Sequence, residues 1–105
     1  TFGELAIKLQ GADAAARDAS HAVQRIWEKG DALAPADRAS LMVQVSGVKV
    51  LATEAGLSIG SRIFEVIGAR GTHPRLGLDR FWRNIRTHSL HDPVAYKIAD
   101  VGQYF

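Results

Sequence analysis

The chain has 105 residues, 47% of them hydrophobic and 23% charged, with a formal net charge of +2. This is one globular domain of ordinary composition, too weakly basic to argue for nucleic acid as a partner. It contains no cysteine, which excludes disulfides, thiolate zinc and iron–sulfur ligation and fits a cytoplasmic location, and no apolar run approaches the ~20 residues of a membrane span.

The first predicted helix runs from about Glu4 to Lys29. Leu5, Leu9, Ala12, Ala16, Ala19, Val23 and Ile26 recur at spacings of three and four, the period of one helix face. Lys8, Asp18 and Arg25 lie opposite, and Gly30-Asp31 ends the helix. Pro35 suits the first turn of a second helix. Its stripe is Leu41, Val45, Val48, Ala52, Ala55, Ile59, Ile63 and Ile67, with Ser46, Gly47, Gly56 and Gly60 as small residues inside it. So few charges between Leu41 and Ile59 predict burial on more than one side. A bundle of this size can hardly cover such a helix, so burial against another domain or subunit is expected.

Residues 68–75, Gly-Ala-Arg-Gly-Thr-His-Pro-Arg, form a connector rich in glycine and arginine. Its amides and two arginines can hold a phosphate, or its glycines can simply stop the helix. Residues 62–86 carry Arg62, Arg70, Arg75, Arg80, Arg83 and Arg86 against only Glu65 and Asp79, a cluster suited to phosphate or carboxylate. The third helix is expected from Leu78 to Leu90, with Leu78, Phe81, Trp82 and Ile85 as its core stripe and Arg80, Arg83, Asn84 and Thr87 as its polar one. Asp92-Pro93 reads as the start of a fourth helix, with Val94, Ile98 and Val101 as its apolar positions. Four helices without a strand pattern predict an all-α, antiparallel four-helix bundle, its aromatics packed in the core.

His88 and His91 lie three apart at a helix end, so both can address one point. There is no Glu-x-x-His pair of the kind bundle metal sites use and no cysteine, so no metal is expected. Two readings remain for His91 and Asp92: tunable acid–base or hydrogen-bonding groups, or caps of two helices. His21 and His73 read as ordinary surface or loop residues. No nucleophile elbow, Walker loop or dinucleotide fingerprint is present, so the chain is expected to supply one wall of a site. It opens without methionine and stops at Tyr104-Phe105, as a piece of a longer polypeptide would.

The segment Arg80-Phe81-Trp82-Arg83-Asn84-Ile85-Arg86-Thr87-His88-Ser89-Leu90-His91-Asp92-Pro93-Val94-Ala95-Tyr96-Lys97 resembles the carboxy-terminal signature of the acyl-CoA dehydrogenase-like flavin monooxygenases, the family of the dibenzothiophene and alkylsulfone monooxygenases. The likeness runs through all 105 residues and is most specific from Gly68 to Lys97. It implies a larger flavoenzyme in which this chain is the C-terminal helical domain. It also implies a tetramer with these bundles at its centre, and flavin bound between domains and subunits. Reduced flavin, FMN or FAD, would come from a separate reductase. It would react with oxygen as a C4a-hydroperoxide and oxygenate a small organosulfur or similar apolar substrate. The resemblance makes His91 the flavin-side histidine, with His88 in support and Asp92 beside it. Arg70, Gly71 and Arg75 become candidates for contact with the flavin phosphate. In the acyl-CoA dehydrogenases proper the corresponding turn reads Tyr-Glu-Gly-Thr, and the glutamate often removes the substrate's α-proton. Here it reads His91-Asp92-Pro93-Val94, with a shorter carboxylate and proline for glycine. Two rival expectations stand beside this one: a dehydrogenase, or degenerate relative, using Asp92 as base, and a non-enzymatic helical oligomerisation module.

Overall fold

The computed structural model describes residues 1–105. It contains four helices: α1 (Phe2–Lys29), α2 (Pro35–Ile67), α3 (Asp79–His91) and α4 (Val94–Tyr104). There is no strand, and each boundary falls within two residues of its sequence-based expectation.

α2 is the spine. Its 33 residues span about 50 Å at 1.5 Å per residue, nearly the 56 Å length of the molecule. α1 runs antiparallel along one side. This direction is marked by ion pairs and hydrogen bonds at three levels: Arg62 to Glu4 (3.0 Å), Gln44 to Asp18 (3.0 Å) and Lys29 to Asp37 (2.8 Å). α3 and α4 follow one another along the other side of α2. Trp82 meets Gly60, Ile85 meets Gly56, Asp92 meets Lys49, and Val101 reaches the level of Val43 and Gln44.

Local chemistry fixes the ends. Pro35 opens α2, where its missing N–H costs no hydrogen bond, and the Asp37 carboxylate accepts from the Ala34 N–H at 3.0 Å. Gly68 closes α2 at φ 90°, a conformation that β-carbon sterics deny most residues. The connector then folds into two short 3-10 turns, Ala69–Thr72 and Pro74–Leu76.

The core is thin. Its buried apolar residues are Leu5, Ala12, Ala19, Ala22, Val43 and Ala55, and no large side chain is fully enclosed. Two expectations need correction here. Leu9 and Val23 on α1, and Val45, Ala52 and Ile67 on α2, were expected to be covered and are exposed. Phe81 and Trp82 are half-exposed: α3 turns the face of Trp82, Ile85 and Ser89 onto α2, and Trp82 is only partly covered there. For α1 and α3 the physical reason is shared: each has α2 as its one extensive packing partner, so part of its apolar stripe has no second helix to meet. The exposed remainder fits the expected burial against another domain or subunit.

Gly56 and Gly60 set the approach of α3. A β-carbon at Gly60 would lie 3.4 Å from the Trp82 Cα, and one at Gly56 would lie 3.0 Å from Ile85 Cδ1. Gly60→Val is therefore expected to push α3 outward and cost about 1–3 kcal/mol, read as a lowered melting temperature by circular dichroism.

Candidate functional site

The end of α3 carries the candidate site. A groove of about 520 Å³ lies between α2 and α3 beside Ile85. Val45, Val48, Ala52 and Ile85 form its apolar wall; Lys49, Thr53, Asn84 and His88 supply polar groups. This combination suits a flat, largely apolar ring with polar edges. His88 thus lies on the groove. His91 is exposed one turn further on, at the end of α3. Neither imidazole is hydrogen-bonded within the chain, which leaves their nitrogens available to a ligand.

Asp92 is arranged differently from either reading of its role. It is the residue after α3, at φ −128° and ψ 92°, and Pro93 precedes the first turn of α4 without a side-chain cap. Its carboxylate makes no bond to His91 and caps no helix. It pairs with Lys97 at 3.0 Å and faces Lys49 at 4.0 Å. The hydrogen bond from Lys97 holds the Asp92 carboxyl below its ordinary value; the charges of Lys97, Lys49 and His91 act in the same direction. A group so held is ionised and weakly basic, which disfavours proton abstraction as its task.

Glu4 and Asp37 are lowered in the same way, through Arg62 and through Lys29 with the Ala34 amide. A carboxylate with a lower pKa folded than unfolded stabilises the fold above the unfolded value. That stability is lost as pH falls through the folded value. Stability is thus expected to be level near neutrality and to decline below about pH 4, as thermal melts from pH 7 to pH 2 would register. Asp92→Asn should flatten part of that decline.

The connector holds the other candidates. Arg70 and Arg75 project beside His73 and Leu76 around an open hollow of about 350 Å³, and no carboxylate lies within ion-pair distance of either. His73 Nδ1 accepts from the Arg75 N–H at 3.1 Å, so His73 shapes the turn. Gly71 is buried: a β-carbon there would lie 2.9 Å from Ile67 Cγ2 and 3.2 Å from Phe64 Cδ1. Its amide donates to the Gly68 carbonyl at 3.0 Å. Its part is to seat the loop that presents Arg70; the arginines are the groups free to meet an anion.

The structure does not bring these two candidate sets together. The connector precedes α3 and the histidines end it, and 13 residues of helix separate them by about 20 Å. No group of His, Asp and Glu is placed to hold a metal ion, and no helix is long and apolar enough to cross a membrane.

Lys49 is the site residue the sequence pattern passes over. The signal was present: it stands alone among Val45, Val48 and Ala52 in an otherwise apolar stripe, where an unpartnered lysine is rare.

Comparison with known proteins adds independent findings. The family model for the acyl-CoA dehydrogenase C-terminal domain matches residues 1–95. Dibenzothiophene monooxygenase from Rhodococcus erythropolis is 71% identical over 104 residues, 99% of this chain and 25% of that protein. Methanesulfinate monooxygenase from Pseudomonas fluorescens superposes with a TM-score of 0.94 at 42% identity, over 98% of this chain and 27% of that one. FMN-bound TdsC, the dibenzothiophene monooxygenase of Paenibacillus sp. A11-2, superposes at 0.92 with 48% identity, over 99% of this chain and 26% of that one. It is also known in complex with FMN and indole. The chain spans about a quarter of the length of the curated relatives it matches.

Proposed function

The chain belongs to the acyl-CoA dehydrogenase C-terminal domain family, and we propose that it is the C-terminal bundle of a larger cytoplasmic flavin monooxygenase. That enzyme takes reduced FMN from a separate reductase and oxygenates a small apolar organosulfur compound. The observation that carries this reading is the 71% identity to a dibenzothiophene monooxygenase across nearly the whole chain. The FMN-bound form of a 48%-identical relative supports FMN over FAD.

The residues present fit one wall of a flavin site. Bound reduced FMN would supply the oxygen activation, through the C4a-hydroperoxide of this class of chemistry. His91 and His88 are the groups that donate hydrogen bonds to the ring edge and its oxygen adduct. Val45, Val48, Ala52 and Ile85 exclude water from that edge, which limits wasteful loss of peroxide. Arg70 and Arg75 hold the phosphate of a second flavin whose ring lies against another subunit. Such sharing suits a tetramer with these bundles at its centre, and the exposed apolar stripes of α1 and α2 supply the surface for it.

Dehydrogenation of an acyl-CoA with Asp92 as base fits less well, because the hydrogen bond from Lys97 and the charges of Lys97 and Lys49 lower that carboxyl's pKa and so weaken it as a base. The test is to mix full-length protein, chemically reduced FMN, oxygen and dibenzothiophene, and to look for the sulfoxide by chromatography. Sulfoxide formation is expected. Its absence, together with bleaching of bound oxidised flavin by an acyl-CoA, would move the protein to the dehydrogenase branch.

A further inference from the structure

Lys49 is the only side chain that bonds the main chain at the break between α3 and α4. Its ammonium donates to the Asp92 carbonyl at 2.5 Å and lies 4.0 Å from the Asp92 carboxylate. The carboxylate has a closer partner in Lys97 at 3.0 Å, so what Lys49 adds is the hold on the backbone.

That hold matters because the break has little else to fix it. Pro93 offers no N–H and forces Asp92 out of helical conformation. The last carbonyls of α3 have no partner inside their own helix. An ammonium there satisfies one carbonyl and meets the negative end of the helix dipole. The Lys49 side chain is only 15% exposed. It lies along the same groove as His88, so one residue of the rigid spine links the groove wall to the turn that carries His91.

We propose that Lys49 is a positioning residue: it fixes the His91–Asp92 turn against α2, so that His88 and His91 address the flavin from one rigid edge. This inference rests on the reading of those histidines as flavin-side groups.

The test compares Lys49→Met, similar in length but uncharged, with Lys49→Arg, both in the full-length protein. The first readout is hydrogen–deuterium exchange of residues 88–96 in the flavin-free protein. The second is product formed per reduced FMN consumed, with hydrogen peroxide as the uncoupled product. Lys49→Met is expected to raise exchange in residues 88–96 by about tenfold, to leave α1 unchanged, and to divert most flux to peroxide. Lys49→Arg should restore most of both. Wild-type exchange or wild-type coupling in Lys49→Met would overturn the inference. So would a uniform rise in exchange across all four helices, or equal impairment in both variants. His91→Ala, run in parallel, separates the two levels. Full product from His91→Ala defeats the flavin-side reading itself; product lost in His91→Ala but kept in Lys49→Met defeats only the role of Lys49.

Discussion

His91→Ala in the full-length protein is expected to lower product formation about 100-fold or more, while the melting temperature stays near wild type. The stability half of this expectation follows from burial. His91 is exposed and bonded to nothing in the chain, and surface changes of that kind stay within about 0.5 kcal/mol. The activity half follows from what a single well-placed donor contributes to a reacting oxygen, about 10²- to 10³-fold where it has been removed from comparable sites. Oxygen consumption should continue, because the flavin itself reacts with oxygen, and the lost product should reappear as hydrogen peroxide. His88→Ala is expected to act in the same direction, since His88 lies on the groove itself. The measurement is sulfoxide and peroxide together, per reduced FMN. Unchanged sulfoxide from His91→Ala would remove His91 from the site.

Much of the fold was legible in the sequence because helix signals are local. Pro35 and the Asp92-Pro93 pair mark helix starts through proline's fixed φ and missing N–H, Gly68 ends α2 because it tolerates a positive φ, and all three breaks lie at those residues. Periodicity fixed which side of α1 and α2 is apolar, but not how much of that side is covered, since coverage depends on neighbours. Leu9 and Trp82 have the right spacing and still lie open, because α2 alone cannot face the full width of two stripes. The site was partly legible. The histidine pair and the two arginines were visible as residue types, and the resemblance gave them roles. The distance between them follows from the length of α3, which the sequence also gives to within a residue at each end. Lys49 was missed because its partner is a main-chain carbonyl 43 residues away, and a stripe read for apolar residues discards the one charge inside it. Asp92 was mistaken for a possible cap because its true partner, Lys97, lies on the next helix.

The two arginines of the connector give the second large effect, and one that separates phosphate recognition from ring recognition. Arg70 and Arg75 lack a carboxylate partner and flank an open hollow beside His73, so their positive charge is uncompensated where an anion can approach. A charge-assisted hydrogen bond to phosphate contributes about 1.5–3 kcal/mol. Arg70→Ala is therefore expected to weaken FMN binding by the full-length protein roughly 10- to 100-fold. Riboflavin, which has the same ring and no phosphate, should bind the variant as it binds the wild type. Arg75→Ala should behave alike, and Arg70→Lys should recover only part of the loss, because an ammonium replaces a planar two-pronged donor. Weaker FMN binding at higher salt is expected too, since the hollow is open to solvent. Fluorescence titration with both flavins reads all of this directly. Equal losses for FMN and riboflavin would mean that the arginines support the fold of the site generally. No loss for either would detach the connector from flavin binding and leave the histidine end of α3 as the only flavin contact in this chain.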